Sequence, residues 1–561
     1  MRNLLTKASR HFVGLRPVRW FCSLRIVRFI WRAVRFVWFL VSKYIWWPVK
    51  RQVRRLLRMM KRREVWFWLA AWGICAWIGW AILNEGFIRG LMLGMVVASA
   101  YIVICFKSPL AGLLIWLLTS RFLTLYIAVK PLQGMPVITG DRYCLIILAV
   151  VYLIQRKRVN NSEPNPVLHG AMAVFILAVL LAGLASRSPK DGCQVVLDTY
   201  AVPFLVYLFA RRWISTPRTL ALALGMMMFV GIYFSAIGVP EYFTGILVFG
   251  GRQGGWVEEA LGTVRSQGPA ESPGEFGLIV IVACLLALTA FTHESRTHRK
   301  FLYAIVIGLT MVAVAVTISR AVYLSMILAL VFMFVSSAKT RRAAMAMVAI
   351  GGLCLLLMWG PFTSSKVYKA RITERGPIYS RVVLYATSWA IIKDRPLTGV
   401  GIRNFQYVRG EYLTGYKDIL AYGTVYGTPH NAYLRIVVEA GLLALIPFLT
   451  VITMMIVTSI RAYKRAEGPG LLGRDGIVVF LAFTAAMLQN ALTGDVFWFC
   501  HYLMTVWFFF FGAIVGVHLH RKEERAPALA QGEMDRQKPR QAVTPTYHGS
   551  PRRAILMKDG E

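Results

Sequence analysis

The sequence predicts an all-α polytopic membrane protein of about 12 to 14 transmembrane helices with a large external loop, and three observations carry that prediction. Of 561 residues, 57% are hydrophobic and only 16% charged. Many apolar stretches reach the roughly 20 residues that a spanning helix needs. Basic clusters separate these stretches at intervals that alternate in side, which is how short cytoplasmic loops are marked.

Residues 1–63 carry 18 Lys or Arg and no acidic residue, interleaved with Trp and Phe. Arg25, Arg28, Arg32 and Arg35 fall at helical spacing, so they share one face and leave the aromatics to sink into the membrane interface. A basic, aromatic, cytoplasmic interfacial segment is expected here. No small-residue cleavage site or uncharged apolar core marks a signal peptide.

The spanning domain is expected over 64–519. Apolar runs near 65–83, 86–106, 109–128, 136–154, 166–186, 193–210, 217–239, 275–293, 301–318, 321–336, 343–360, 431–458, 475–496 and 497–518 give about fourteen spans. With the N-terminus cytoplasmic, the basic loops at 155–158, 211–212, 293–300, 339–342 and 461–465 all fall inside. The run 301–336 would make a single helix of about 54 Å, too long for a core of about 30 Å, so it must turn back and place Arg320 at an outer apex. The tail 520–561 is polar and rich in Pro and Gln, and is expected to be disordered and cytoplasmic.

The same alternation leaves two external loops, about 240–274 and 361–430. The second holds ten Lys or Arg against four acids and exceeds the loop length over which positive charge fixes topology. Its cationic excess points to an anionic ligand. The net charge of +38 is otherwise explained by anionic headgroups and topology, so nucleic acid is not expected as a partner. Eight scattered cysteines with no metal spacing predict neither a disulfide framework nor a metal.

Charged residues beside or inside apolar runs are the candidates for function. His430 follows Pro429 at the start of the run from 431, where a helix N-terminus favours the neutral imidazole that a general base requires. Its plainer reading is that His430 and Asn431 cap the helix. Arg435 and Glu439 stand four apart, and a supporting ion pair between them is expected. Glu439, nine residues from His430, would face away from it. Arg265 lies in the Pro/Gly-rich VRSQGPAESPGEFG, and Arg381 opens RVVLYATSWAIIKDRP, which reads as a short surface helix. GVGIRNF, with Arg403, lacks the preceding strand and lysine of a nucleotide loop.

The TISR segment, the external loop containing DRPLTGVGIRNF and the following PHNAYLRIVVEAGLLALI together resemble the O-antigen ligase and polymerase superfamily of bacterial membrane glycosyltransferases. The resemblance covers about 260–460 by motif, and HNAYL-x4-E-x-G after a loop of about 70 residues is its most specific part. It implies a metal-independent, inverting enzyme without cofactor, in the bacterial inner membrane. Such an enzyme transfers a glycan from undecaprenyl diphosphate to a sugar hydroxyl on a glycan or lipid acceptor. Membrane lipids and other polysaccharide-assembly proteins are the further partners it implies. On that pattern His430 is the base and Arg265 and Arg320 hold the diphosphate, with Arg381 and Arg403 as weaker substrate contacts. The basic N-terminal segment lies outside the family pattern, and fourteen spans exceed the family's usual twelve or so. The rival reading is a transporter or flippase of lipid-linked sugars, which Arg121, Asp198 and Glu439 keep open as charges within apolar runs.

Overall fold

The computed structural model describes residues 86–126, 128–129, 138–156, 165–246, 257–258, 263–336, 338–357, 376–413, 428–497 and 500–537. The chain divides into two compact units, 1–99 and 100–561. Of the first, residues 86–99 are described and form the start of a helix. The segment 1–63 and the expected first span, 65–83, lie outside the described residues.

Helices make up nearly all of the described chain. They are α1 (Gly86–Lys107), α2 (Pro109–Tyr126), α3 (Gly140–Arg156), α4 (Pro166–Leu184), α5 (Pro189–Val196), α6 (Val202–Trp213), α7 (Pro217–Thr244), α8 (Pro273–His293) and α9 (Thr297–Ala315). They continue as α10 (Arg320–Ser336), α11 (Ala338–Leu357), α12 (Gly376–Asp394), α13 (Phe405–Tyr412), α14 (Ala432–Ala440), α15 (Leu442–Arg465), α16 (Arg474–Ala491) and α17 (His501–Gln537). Between α5 and α6 one turn, Leu197–Ala201, is π-helical. Two antiparallel ladders, Ala128–Val129 with Ile138–Thr139 and Val257–Glu258 with Thr263–Val264, have two residues per strand and leave the fold all-α.

The starts of several helices follow directly from sequence. Asn165-Pro166, Ser188-Pro189, Thr216-Pro217 and Ser272-Pro273 each place a capping residue before a proline whose missing N–H costs nothing in the first turn. Ser272 accepts the Glu275 N–H at 3.1 Å, and Asn165 accepts that of Leu168 at the same distance.

Seven helices among the described residues are long and apolar enough to cross a membrane, and three shorter apolar ones accompany them. The chain is therefore a multi-pass membrane protein. Two helices form its centre: 89% of the apolar window of α8 and 94% of that of α17 are buried inside the protein. Stacked and tilted rings join α17 to α6, Tyr207 to Phe511 at 5.1 Å and Phe204 to Phe508 at 4.9 Å. By contrast only 17% of α9 is buried, which leaves it a lipid-facing helix.

Two expectations need correction. The run 431–458 is not one span, because the chain breaks at Gly441, whose φ of +73° and ψ of −175° end α14 and start α15. At nine residues α14 is about 13 Å long and cannot cross a bilayer. The polar tail expected to be disordered from 520 is helical as far as Gln537, since α17 carries straight on from its apolar part.

Candidate active site

The site is built from two corners that share one wall. The first corner is the turn Val316–Ser319 between α9 and α10. Ile318 holds φ +47°, a conformation that costs a β-branched residue energy and that this turn requires in order to reverse within four residues. Arg320 then begins α10 with its side chain exposed, and it makes no hydrogen bond or ion pair among the described residues. Arg265 reaches the same turn and donates from Nε to the Thr317 carbonyl at 3.3 Å. The neighbouring Ser266 N–H donates to Val316 O at 3.3 Å. The structure thus brings Arg265 and the base of Arg320 together.

Arg265 is held there by a buried strap, Ser266–Ala270, stitched to several helices. Glu241 of α7 accepts the N–H groups of Gln267 and Gly268 at 3.3 and 2.7 Å. Arg121 of α2 donates to Pro269 O at 2.9 Å and pairs with Glu271 at 2.7 Å. These satisfied charges fix a segment that would otherwise be a loop.

The second corner surrounds His430. It precedes the helix rather than lying in its first turn, as the sequence suggested: φ is +53°, and Asn431 alone caps α14 by accepting the Leu434 N–H at 3.0 Å. Burial pushes the His430 imidazole below its ordinary pKa; Asp495 opposes this, while Arg381 and Arg435 reinforce it. Arg435 is buried and stands at ion-pair distance from two carboxylates, 3.4 Å from Glu439 and 3.5 Å from Asp495. The Asp495 side chain is 6% exposed, and its Oδ1 accepts no hydrogen bond among the described residues.

Both corners rest on the C-terminal end of α16. From α10, Ser325 donates to Gln489 Oε1 at 2.6 Å and accepts from Asn490 at 3.3 Å. Tyr433 of α14 donates to Leu488 O at 3.2 Å, and Tyr385 of α12 to Leu492 O at 3.3 Å. Asp495 follows three residues later.

The glycine-rich GVGIRNF is a latch and not a nucleotide loop. Val400 and Gly401 donate to the carbonyls of Val438 and Glu439, both at 2.9 Å, and the Arg403 N–H donates to Glu439 Oε2 at 2.8 Å. Ile402 donates to Ala182 O at 3.0 Å, and Asn404 Oδ1 accepts the Arg187 N–H at 2.9 Å. A Cβ on Gly399 would stand 2.6 Å from Val438 O, so only glycine admits this approach. Glu439 therefore binds the latch as well as Arg435 and faces away from His430. Arg403 contributes its backbone to the latch, and its side chain is exposed.

Of the residues singled out in the sequence, Arg265 reaches the turn that precedes Arg320 at one corner, and His430, Arg381, Asn431 and Arg435 lie at the other. Asp495 was missed because TGDVF reads as a junction between two apolar runs; an acid flanked closely by both was the available signal. The three charges that favoured a transport pathway are each in ion pairs: Arg121 with Glu271, Asp198 with Arg142, Glu439 with Arg435.

A bundle of apolar helices with two polar corners resting on one wall defines a multi-pass membrane protein. Residues 303–449 match the family model described as O-antigen ligase, which supports the O-antigen ligase superfamily for this chain and a membrane glycan-transfer role. The matched stretch contains Arg320, Arg381, Arg403, His430, Arg435 and Glu439 and leaves Arg265 and Asp495 outside it. Among curated proteins, none matches the chain.

Proposed function

We propose that this protein transfers a glycan from undecaprenyl diphosphate to a sugar hydroxyl at the external face of a bacterial inner membrane, its termini being cytoplasmic. The observation that carries the reading is the pairing of two unlike corners on one wall. One is a cationic turn that Arg265 reaches and from which Arg320 stands exposed; the other is an imidazole whose pKa is lowered chiefly by burial.

In this reaction His430 takes the proton from the acceptor hydroxyl, whose oxygen attacks the anomeric carbon. The bond from that carbon to the diphosphate oxygen breaks, and its electron pair leaves with the diphosphate. Arg265 and Arg320 stabilise the charge that accumulates there, a task suited to the fixed fork of a guanidinium. One displacement inverts the anomeric configuration, and the arginines supply the positive charge without a metal. Arg435 and Asp495 position His430, and Arg381 keeps positive charge near it. A sequence likeness of RSQGPAESPGEFG to the exopolysaccharide-type members favours polymerase over ligase.

The test is incubation of purified protein with undecaprenyl-diphosphate oligosaccharide, beside His430→Ala, with products followed by mass spectrometry. A ladder of multiples that vanishes in the variant supports a polymerase. Transfer only on addition of a core glycan supports a ligase, and equal products from both proteins would remove His430 from the chemistry. Activity should survive a chelator.

A further inference from the structure

A second polar cluster, not used by the mechanism above, surrounds the π-helical turn Leu197–Ala201. A π-turn inserts one residue into a helix and re-aims the side chains on either side of it; it is retained mostly where those side chains have work to do. Here three consecutive side chains reach three different groups. Asp198 pairs with Arg142 of α3, with Nε to Oδ1 at 3.2 Å and a second contact from Nη2. Thr199 Oγ1 lies 2.8 Å from Nδ1 of His501, the first residue of α17. Tyr200 is buried in ring contact with Phe175 and Phe448, its hydroxyl within electrostatic reach of Arg435, Glu439 and Asp495.

His501 continues the line. Its Nε2 stands 3.9 Å from Glu271, and Glu271 is held by Arg121 at 2.7 Å. Burial opposes the charge on Glu271, but His501 and Arg121 outweigh it and keep the carboxyl below its usual range. Glu275, which accepts the N–H groups of Glu271 and Leu503, completes the polar set. Although Glu271, His501 and Thr199 stand in the order of a hydrolytic triad, Thr199 is fully buried and no substrate carbon can reach it.

Two features define what the cluster would hold. It is partly open: the His501 side chain is 30% exposed, while Glu271, Arg142 and Asp198 are each between 21% and 23% exposed. Unlike the Arg265–Arg320 corner, it carries no positive excess, since Arg121 and Arg142 are matched by Glu271 and Asp198. A phosphate has no unmatched cation there. A neutral ligand dense in hydroxyls does fit, because such groups donate to carboxylate and imidazole and accept from guanidinium.

We propose that His501, Glu271 and the Arg142–Asp198 pair form a carbohydrate subsite, which binds an uncharged sugar ring of the glycan while the diphosphate rests on Arg265 and Arg320. It rests on the glycan-transfer reading. Through Tyr200 the π-turn also packs on Phe175 of α4 and Phe448 of α15.

The experiment measures two probes on the full-length protein in nanodiscs: the oligosaccharide released from the donor lipid, and inorganic diphosphate. Calorimetric titration is compared for wild type, His501→Ala, His501→Gln, Arg320→Ala and His430→Ala, each checked for an unchanged melting temperature. The expected result is that His501→Ala weakens oligosaccharide binding by about tenfold, the scale of a lost hydrogen bond in a partly buried site, and leaves diphosphate binding unchanged. His501→Gln retains part of the affinity. Arg320→Ala shows the converse, and His430→Ala binds both probes while losing turnover. Oligosaccharide that binds His501→Ala as tightly as wild type, or that does not bind wild type at all, overturns the subsite. Should His501→Ala lower the melting temperature, Thr199→Val replaces it, and unweakened oligosaccharide binding there overturns the subsite equally. The glycan-transfer reading fails separately, if His430→Ala turns over donor at the wild-type rate.

Discussion

Replacing Gly441 by alanine tests whether the latch is what seats the His430 corner. At φ +73° and ψ −175° the residue occupies a region essentially closed to side chains, a strain of about 1–3 kcal/mol. A Cβ built there would lie 1.9 Å from the Leu397 carbonyl oxygen, 2.2 Å from its carbon and 2.5 Å from the Thr398 nitrogen. All three are backbone atoms, so no side chain can rotate away. The segment 396–398 must retreat by more than an ångström, which removes the hydrogen bonds from Leu442 N–H to Pro396 O at 2.9 Å and from Leu443 N–H to Leu397 O at 3.2 Å. Each contributes roughly 1 kcal/mol. Together these costs come to at least about 3 kcal/mol, or roughly a hundredfold in the opening equilibrium of the latch. Hydrogen exchange read by mass spectrometry on peptides covering 396–404 and 441–445 should show that acceleration, with glycan transfer falling in parallel. A folded variant whose amides there exchange within twofold of wild type would refute the claim that the break at Gly441 and the latch are one unit.

Other substitutions bear on the chemistry. Arg320→Ala should lower turnover by about 10²–10³, with partial recovery in Arg320→Lys because lysine supplies the charge without the fork; the comparison is made with saturating donor. Because His430 must be neutral to act and its pKa is lowered, transfer should persist as pH falls below the ordinary histidine range and fail only in more acidic solution. Arg381→Ala removes a charge that lowers that pKa, so the acid limb of the pH–rate profile moves up; Asp495→Asn removes one that raises it and moves the limb down. A limb unmoved by either substitution separates these groups from His430. Glu439→Ala leaves buried Arg435 with one carboxylate and the Arg403 N–H with none, a loss of about 3–5 kcal/mol visible as a fall in melting temperature.

Much of the bundle was legible because apolar length and basic punctuation are local signals. The helix starts at Pro166, Pro189, Pro217 and Pro273 lie close to the expected boundaries for the same reason: cap and proline act within one turn. The break at Gly441 was not legible, since LRIVVEAGLLALIPF is continuous in hydrophobicity and only the backbone of Leu397, 44 residues earlier, demands the glycine. The i to i+4 spacing of Arg435 and Glu439 predicted the ion pair that the structure contains, but their second partners, Asp495 and the Arg403 N–H, are distant in sequence. His501 was passed over for a similar reason. Nothing near it in the chain announces Thr199 or Glu271, and the π-turn that aims Thr199 has no sequence mark.

The contrast between a screened α8 and a lipid-facing α9 bears on how the site responds to the bilayer. The strap is bonded to the turn before Arg320 through Ser266 and Arg265, and α10 is bonded to α16 through Ser325, so both corners keep one height set by the protein. α9 alone must match its apolar length to the surrounding acyl chains, and mismatch is relieved by tilt at a cost of fractions of a kcal/mol per ångström. A change of membrane thickness should therefore tilt α9 about the turn at Ile318 and leave Arg320 in place against His430. Reconstitution in lipids of graded chain length should give a flat response in rate, and an optimum that shifts when α9 is shortened by one turn would show that the helix carries the arginine with it.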